Sequence, residues 1–102
     1  MSSQQQQTRY TVHFAGHVQG VGFRYTTINI ARHYQIAGYV QNLPDGKVLV
    51  VAEGLTKELD NFIDSILEAM QYHISQHTTD KTPATGEFGS PSQISQFQIR
   101  YY

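Results

Sequence analysis

The stretch YTVHFAGHVQGVGFRYTTINIARHY, residues 10–34, changes its hydrophobic period once, and the change falls in a glycine-rich loop. Its first residues alternate, with Tyr10, Val12 and Phe14 on one side and Thr11, His13 and Ala15 on the other, as in a half-buried strand. Gly16 ends that run. After HVQGVG, the residues Phe23, Thr27, Ile30, Ala31 and Tyr34 recur at helical spacing with Ile28 on the flank, so the spacing predicts a helix over FRYTTINIARHY that Gly38 terminates.

Further along, YVQN and KVLVVAEG flank LPDG, a turn with Pro and Asp-Gly chemistry, and together they predict a β-hairpin. Val48, Val50 and Ala52 face one way and Leu49 and Val51 the other, which suits a central strand covered on both faces and closed by Gly54. Thr56 is suited to cap the next helix, with Glu58 at its positive end. Leu59, Phe62, Ile63, Ile66, Leu67 and Met70 then form the clearest amphipathic stripe of the chain. HISQHTTDK reads at most as a polar edge strand, and TPATGEFGSPSQ as loop. A last strand is expected at about 97–101, with Ile94 as a loop anchor because positions 94 and 97 differ in strand parity.

This order describes an α+β, ferredoxin-like (βαββαβ) two-layer sandwich: an antiparallel sheet with two helices on one face, plus a short C-terminal strand. At 102 residues the chain holds one core. Residues 1–8 form a polar, Gln-rich leader expected to be disordered, and residues 9–102 a single domain. Cys is absent, which excludes a thiol nucleophile, a zinc ribbon and a disulfide scaffold. With no apolar run near ~20 residues and no signal-peptide pattern, the expected location is cytoplasmic, without membrane contact.

The formal net charge of −1 does not suit a general nucleic-acid binder, but its distribution is uneven. Residues 10–44 contain no Asp or Glu, yet hold Arg24 and Arg32; all eight acids lie at Asp45 or beyond. Arg24 falls in the first turn of the expected helix, where a cation opposes the helix dipole by ~0.3–1 kcal/mol unless an anion sits beside it. The loop is not a dinucleotide fingerprint, because Tyr25 stands where a third glycine is needed, and it lacks the lysine of an ATP-type loop. Two readings stay open on spacing alone. The glycines either shape a plain strand-to-helix connection, or let successive N–H groups converge on an anion that Arg24 also grips.

GHVQGVGFRYTTINIARHYQIAGYVQNLPDGKVLVVAEG, residues 16–54, resembles the acylphosphatases, whose pattern runs G-x-V-Q-G-V-G-F-R, about a dozen helical residues, then G-[WYF]-V-x-N-x-x-D-G-x-V; the final FQIRYY is similar to the family's closing strand. The resemblance implies hydrolysis of an acyl phosphate to a carboxylate and inorganic phosphate without a metal or other cofactor. It makes Arg24 the phosphate-binding arginine, Asn42 the residue that positions the water, and His17, Val18, Gln19, Gly20, Val21 and Gly22 the loop that cradles the phosphate. It also implies that a phosphate oxygen of the substrate takes the water's proton. The polar character of residues 76–81 and the loop at 90–95 depart from the family's pattern.

Several residues carry a second reading. Gln19 is either a loop-bracing amide or a phosphate contact, and His17 is a candidate for tuning affinity with pH. Asp45 reads as a turn residue rather than a base. His73 and His77 have i, i+4 spacing, but without H-E-x-x-H and in an extended segment they are not expected to hold a metal. Tyr25, Tyr34 and Tyr39 suit core or rim positions. Rival functions are an anion-binding regulatory module, which would keep the loop without turnover, and a single-strand RNA binder, for which the aromatic signature and basic surface are missing. The expected partner is a small acyl phosphate, bound by a monomer.

Overall fold

Alternation in the first strand sets the core. In the computed structural model, which describes residues 7–89 and 96–101, β1 (Gln7–Gly16) points Tyr10, Val12 and Phe14 inward, all of them buried. The chain continues through α1 (Phe23–Ala31), β2 (Ile36–Asn42), β3 (Val48–Leu55), α2 (Thr56–Ala69), β4 (Ile74–Pro83) and β5 (Gln96–Arg100). The five strands lie in the order β4-β1-β3-β2-β5. Antiparallel register sets Val12 and Val40 on either side of Val50, so the inward rows of three neighbouring strands coincide.

Both helices cover that row. In α2 the residues Leu59, Phe62, Ile63 and Ile66 are buried, and truncating one such side chain typically costs ~2–5 kcal/mol. In α1 the buried residues are Phe23, Thr27 and Ala31, and the Thr27 hydroxyl donates to the Phe23 carbonyl at 2.8 Å. Phe14 packs against Phe23 at 5.2 Å, and Phe62 meets Phe97 of β5 at 5.3 Å. Tyr34, just beyond α1, joins the helices through a 2.7 Å hydroxyl contact with Ser65. Tyr10 donates to the Asp60 carboxylate on α2; burial first, then that hydrogen bond, pushes its hydroxyl up to about 12.

The split β-α-β plan is as expected, with differences that have local causes. The sheet is mixed rather than antiparallel, because β5 joins β2 in parallel. β1 begins at Gln7, two residues before the expected domain start, since Gln7 and Thr8 pair with Leu55 and Gly54. Residues 1–6 and the loop at 90–95, Ile94 included, lie outside the described residues. β3 continues through Gly54, which pairs with both Thr8 and Ile36, and runs straight into α2. Thr56 is therefore the first helical residue and not the cap; the cap position is Leu55, without a side-chain hydrogen bond, and the Thr56 hydroxyl instead meets that of Thr8 at 3.0 Å. α1 stops at Ala31, short of the expected dozen residues. The polar β4 is a full ten-residue edge strand, held by its ladder to β1 rather than by burial.

The opposite face of the sheet is covered by something the hydrophobic pattern does not signal. Glu53, 2% exposed, accepts from Arg9 Nε at 2.8 Å and from the backbone N–H groups of Thr85 and Gly86, each at 2.9 Å. Arg9 also lies over the Phe88 ring at 5.0 Å, so a single carboxylate anchors the segment after β4 across the sheet. Burial alone would raise the Glu53 carboxyl, but the donors from Thr85, Arg9 and Gly86 together hold it below its ordinary value. Its stabilising contribution is therefore complete above the ordinary value of 4.5 and is lost as pH falls through the lower folded value. Glu53→Gln should lower the unfolding free energy at pH 7 by ~2 kcal/mol and flatten its fall on acidification, as read by denaturant titrations between pH 7 and 3. An unchanged acid slope in the variant would remove Glu53 as the cause.

Candidate active site

The loop from Gly16 to Gly22 must turn a strand end into a helix start within a few residues. Gly20 and Gly22 both take φ +79°, where an L side chain is strained although neither added Cβ would touch a neighbour. The conformation, not crowding, calls for glycine. Gly22 is the cap residue of α1 and accepts from Thr26 N–H at 2.9 Å, so the earlier N–H groups of the helix start have no intrahelical partner.

A cleft of about 290 Å³ opens at this helix start. Val18, Gly20 and Gly22 form one side, Phe23, Arg24 and Tyr25 the helix side, and Asn42, Ile99 and Tyr101 the wall opposite. Two segments distant in sequence thus bring Arg24 and Asn42 into one space. No Asp or Glu is among the lining residues, and Arg24 has no carboxylate partner among the described residues; its guanidinium lies over the Tyr101 ring, 5.2 Å from the centroid. Asn42 lines the cleft, and its Oδ1 is buried without a hydrogen-bond partner.

The remaining loop residues have other surroundings. Gln19 does not line the cleft: its side-chain amide donates to the carbonyls of Leu43 and Lys47, each at 2.8 Å, so of its two readings the side chain takes the bracing one. Val21 packs against the core from a half-buried position, and His17 lies against the His73 ring at 6.2 Å; neither lines the cleft. Val18 is fully buried and closes the cleft floor. Asp45 sits in the hairpin turn and accepts from the Lys47 N–H at 3.0 Å, which, ahead of the Lys47 ammonium, holds its carboxyl below the usual value. His77 stacks against Phe14, and the described residues contain no cluster of three or more metal-ligating side chains. Ile99 and Tyr101 are the cleft residues that spacing alone leaves unseen, since they reach it only through the parallel register that pairs Gln41 with Arg100.

The family model for acylphosphatases matches residues 10–99. The chain belongs to the acylphosphatase family. It is 34% identical to the acylphosphatase of Thermotoga petrophila over 85% of its own length and 90% of that protein. With the acylphosphatase of Archaeoglobus fulgidus it shares 49% identity over 54% of this chain and 62% of the relative, so that match spans less than two thirds of the relative's length. The crystal structure of acylphosphatase from Bacillus subtilis is similar over 92% of this chain and 99% of that one, with a TM-score of 0.77 at 27% identity. These likenesses, with the observed strand order, establish the ferredoxin-like acylphosphatase fold.

Gly22→Ala should lose ~1–2 kcal/mol of unfolding free energy through backbone strain alone, and Gly22→Asn less, because Asn tolerates the left-handed region. Equal losses in denaturant titrations would point to something other than strain. Gln19→Ala should lose ~1–2 kcal/mol by leaving two carbonyls short of a donor. It should also raise amide hydrogen exchange at residues 18–22, and exchange rates there that match wild type would contradict the bracing role.

Proposed function

We propose that this chain hydrolyses the carboxyl–phosphate bond of acyl phosphates, giving a carboxylate and inorganic phosphate, with Arg24 and Asn42 as its catalytic residues. The observation that carries the reading is that one cleft is lined both by an arginine at a helix start, without a carboxylate partner among the described residues, and by Asn42, whose buried Oδ1 has no hydrogen-bond partner. An acyl phosphate is a mixed anhydride and already activated, so the protein needs to hold the phosphoryl group, offset its charge and aim a water.

In this reading the N–H groups at Gly20, Gly22 and the start of α1 converge with the Arg24 fork on the non-bridging oxygens. Asn42 Oδ1 accepts a hydrogen bond from the attacking water, which satisfies its buried acceptor and orients the water's lone pair toward phosphorus. A water-oxygen to phosphorus bond forms as the bond from phosphorus to the acyl oxygen breaks, and the electron pair leaves with the carboxylate. Asn42 cannot take the water's proton at neutral pH; a non-bridging phosphate oxygen does, so no carboxylate base is required. An acid in the cleft would repel the substrate's charge, and the lining residues include none. Those residues offer a metal only the Asn42 carbonyl and the Tyr25 and Tyr101 hydroxyls as oxygen side-chain donors, with no carboxylate among them, a poor set for a divalent cation, which supports metal-independent hydrolysis.

The same proposal takes the protein as a cytoplasmic monomer acting on a small molecule. Support comes from the absence of Cys, from the lack of a membrane-spanning helix among the described residues, and from exposed large apolar side chains limited there to Tyr25, Tyr72 and Tyr101. Arg24→Ala should lower kcat/KM for benzoyl phosphate at least ~100-fold, Asn42→Ala should act mainly on kcat, and chelators should have no effect. Wild-type turnover by the Arg24 variant would overturn the assignment.

A further inference from the structure

A second cleft, of about 260 Å³, opens along β5, and Tyr39, Phe88, Gln98 and Arg100 are among its lining residues. Alternation along the β2–β5 ladder places Tyr39, Gln98 and Arg100 on the sheet face away from the helices, since the intervening Val40 and Ile99 belong to the core. No helical residue lines this cleft, and neither does any Asp or Glu.

Its walls are joined in one stack of rings and cations. The Arg100 guanidinium lies 3.6 Å from the centroid of the Tyr39 ring, the tightest contact of its kind among the described residues. Tyr39 meets Phe88 edge-on at 5.7 Å, and Phe88 in turn lies under Arg9 at 5.0 Å. The two arginines at the ends of this stack differ in charge balance. Arg9 is paired with Glu53 at 2.8 Å and Glu87 at 2.6 Å, whereas Arg100 has no carboxylate partner among the described residues. Residues 1–6, 90–95 and 102, which lie outside them, include no Asp or Glu to supply one. A guanidinium stacked by its face keeps the N–H donors of its edge free, and the ring beneath it fixes the plane in which they point. Arg100 is thus a preoriented fork without an anion, beside two aromatic rings.

We infer that this second cleft binds a small aromatic carboxylate, its two oxygens paired with the edge of Arg100 and its ring set against Tyr39 and Phe88. One guanidinium without a helix start beside it matches a single negative charge, and its parallel donors match the two oxygens of a carboxylate. Drug-sized ligands occupy clefts of ~300–1,000 Å³, so about 260 Å³ suits a body of one ring. Neither Arg24 nor Asn42 lines this cleft, and the site therefore stands apart from the hydrolase reading.

Backbone-amide NMR with benzoate as the probe locates the site in the wild-type protein. Saturable shifts should appear at residues 38–40, 88 and 98–101. Benzoate should bind about fivefold more tightly than cyclohexanecarboxylate, which carries the same charge on a puckered ring. Arg100→Gln should lower benzoate affinity at least ~10-fold through loss of the charged donors, while Arg24→Ala should leave it within about twofold. The absence of saturable shifts overturns the inference, as do shifts confined to residues 17–25 and 42. Equal affinities for the two carboxylates, or an Arg100→Gln protein that holds benzoate like wild type, overturn it as well. So does tighter binding of phenyl phosphate than of benzoate by Arg24→Ala, which would make the second cleft a site for a dianion. The shift map of wild type decides the location even if Arg100→Gln fails to fold.

Discussion

The side-chain amide of Gln19 spans the two segments from which the cleft is built. Its NH₂ group spends both donors on the carbonyls of Leu43 and Lys47, the residue just after Asn42 and the one just before its cross-strand partner Val48. The same hairpin turn is closed by Leu43 N–H to the Lys47 carbonyl at 2.9 Å. A glycine loop is conformationally permissive, and permissiveness costs order. Fixing it by two hydrogen bonds to a tight hairpin transfers the rigidity of a paired β2–β3 ladder to the loop, and so sets the separation of Arg24 from Asn42. Without that brace both residues would remain on sound elements, but their mutual position would depend on the glycines.

Electrostatics follow a similar division. Every acid of the chain lies beyond the first helix, and the structure shows where several of them are engaged. Asp45 binds Lys47 in the turn, Glu58 accepts from the Gln35 N–H, Asp60 takes the Tyr10 hydroxyl, and Glu53 and Glu87 hold Arg9. Arg24 is left against a tyrosine ring, whose attraction for a cation is weaker than a carboxylate's and less directional. A guanidinium in that state keeps its donors available to an incoming anion, at a helix end whose own partial charge is also positive.

The layers of this fold were legible because burial is periodic. Tyr10, Val12 and Phe14, or Leu59, Phe62 and Ile66, announce one face each, and both faces are buried as the pattern requires. That Arg24 and Asn42 line one cleft follows a motif whose spacing survives in a linear reading. Other features depend on partners far apart in sequence and leave no local period. Glu53 reads as one more polar residue in a strand until Arg9 and Thr85 converge on it. β4 lacks an apolar row because its outer edge and exposed face ask for none; the ladder to β1 carries it. Thr56 failed as a cap because Gly54, a plausible strand end by composition, is paired on both sides and pushes the helix start against the strand.

The direction of β5 is the least legible feature and the one with most consequence for the cleft. An antiparallel strand added beside β2 would bring its first residues, not its last, to the end of the sheet where α1 begins. Because β5 runs parallel to β2, Ile99 and Tyr101 arrive beside Asn42, and the far end of the chain returns to the loop near its start. Phe97, two residues earlier on the same side, is held by Phe62 of α2, so the packing that stabilises the strand also sets the reach of its tip. The polar end of the cleft is thus made by the first half of the chain and its aromatic wall largely by the last strand. Change at positions 99 and 101 can therefore reshape that wall while the loop, Arg24 and Asn42 keep their geometry.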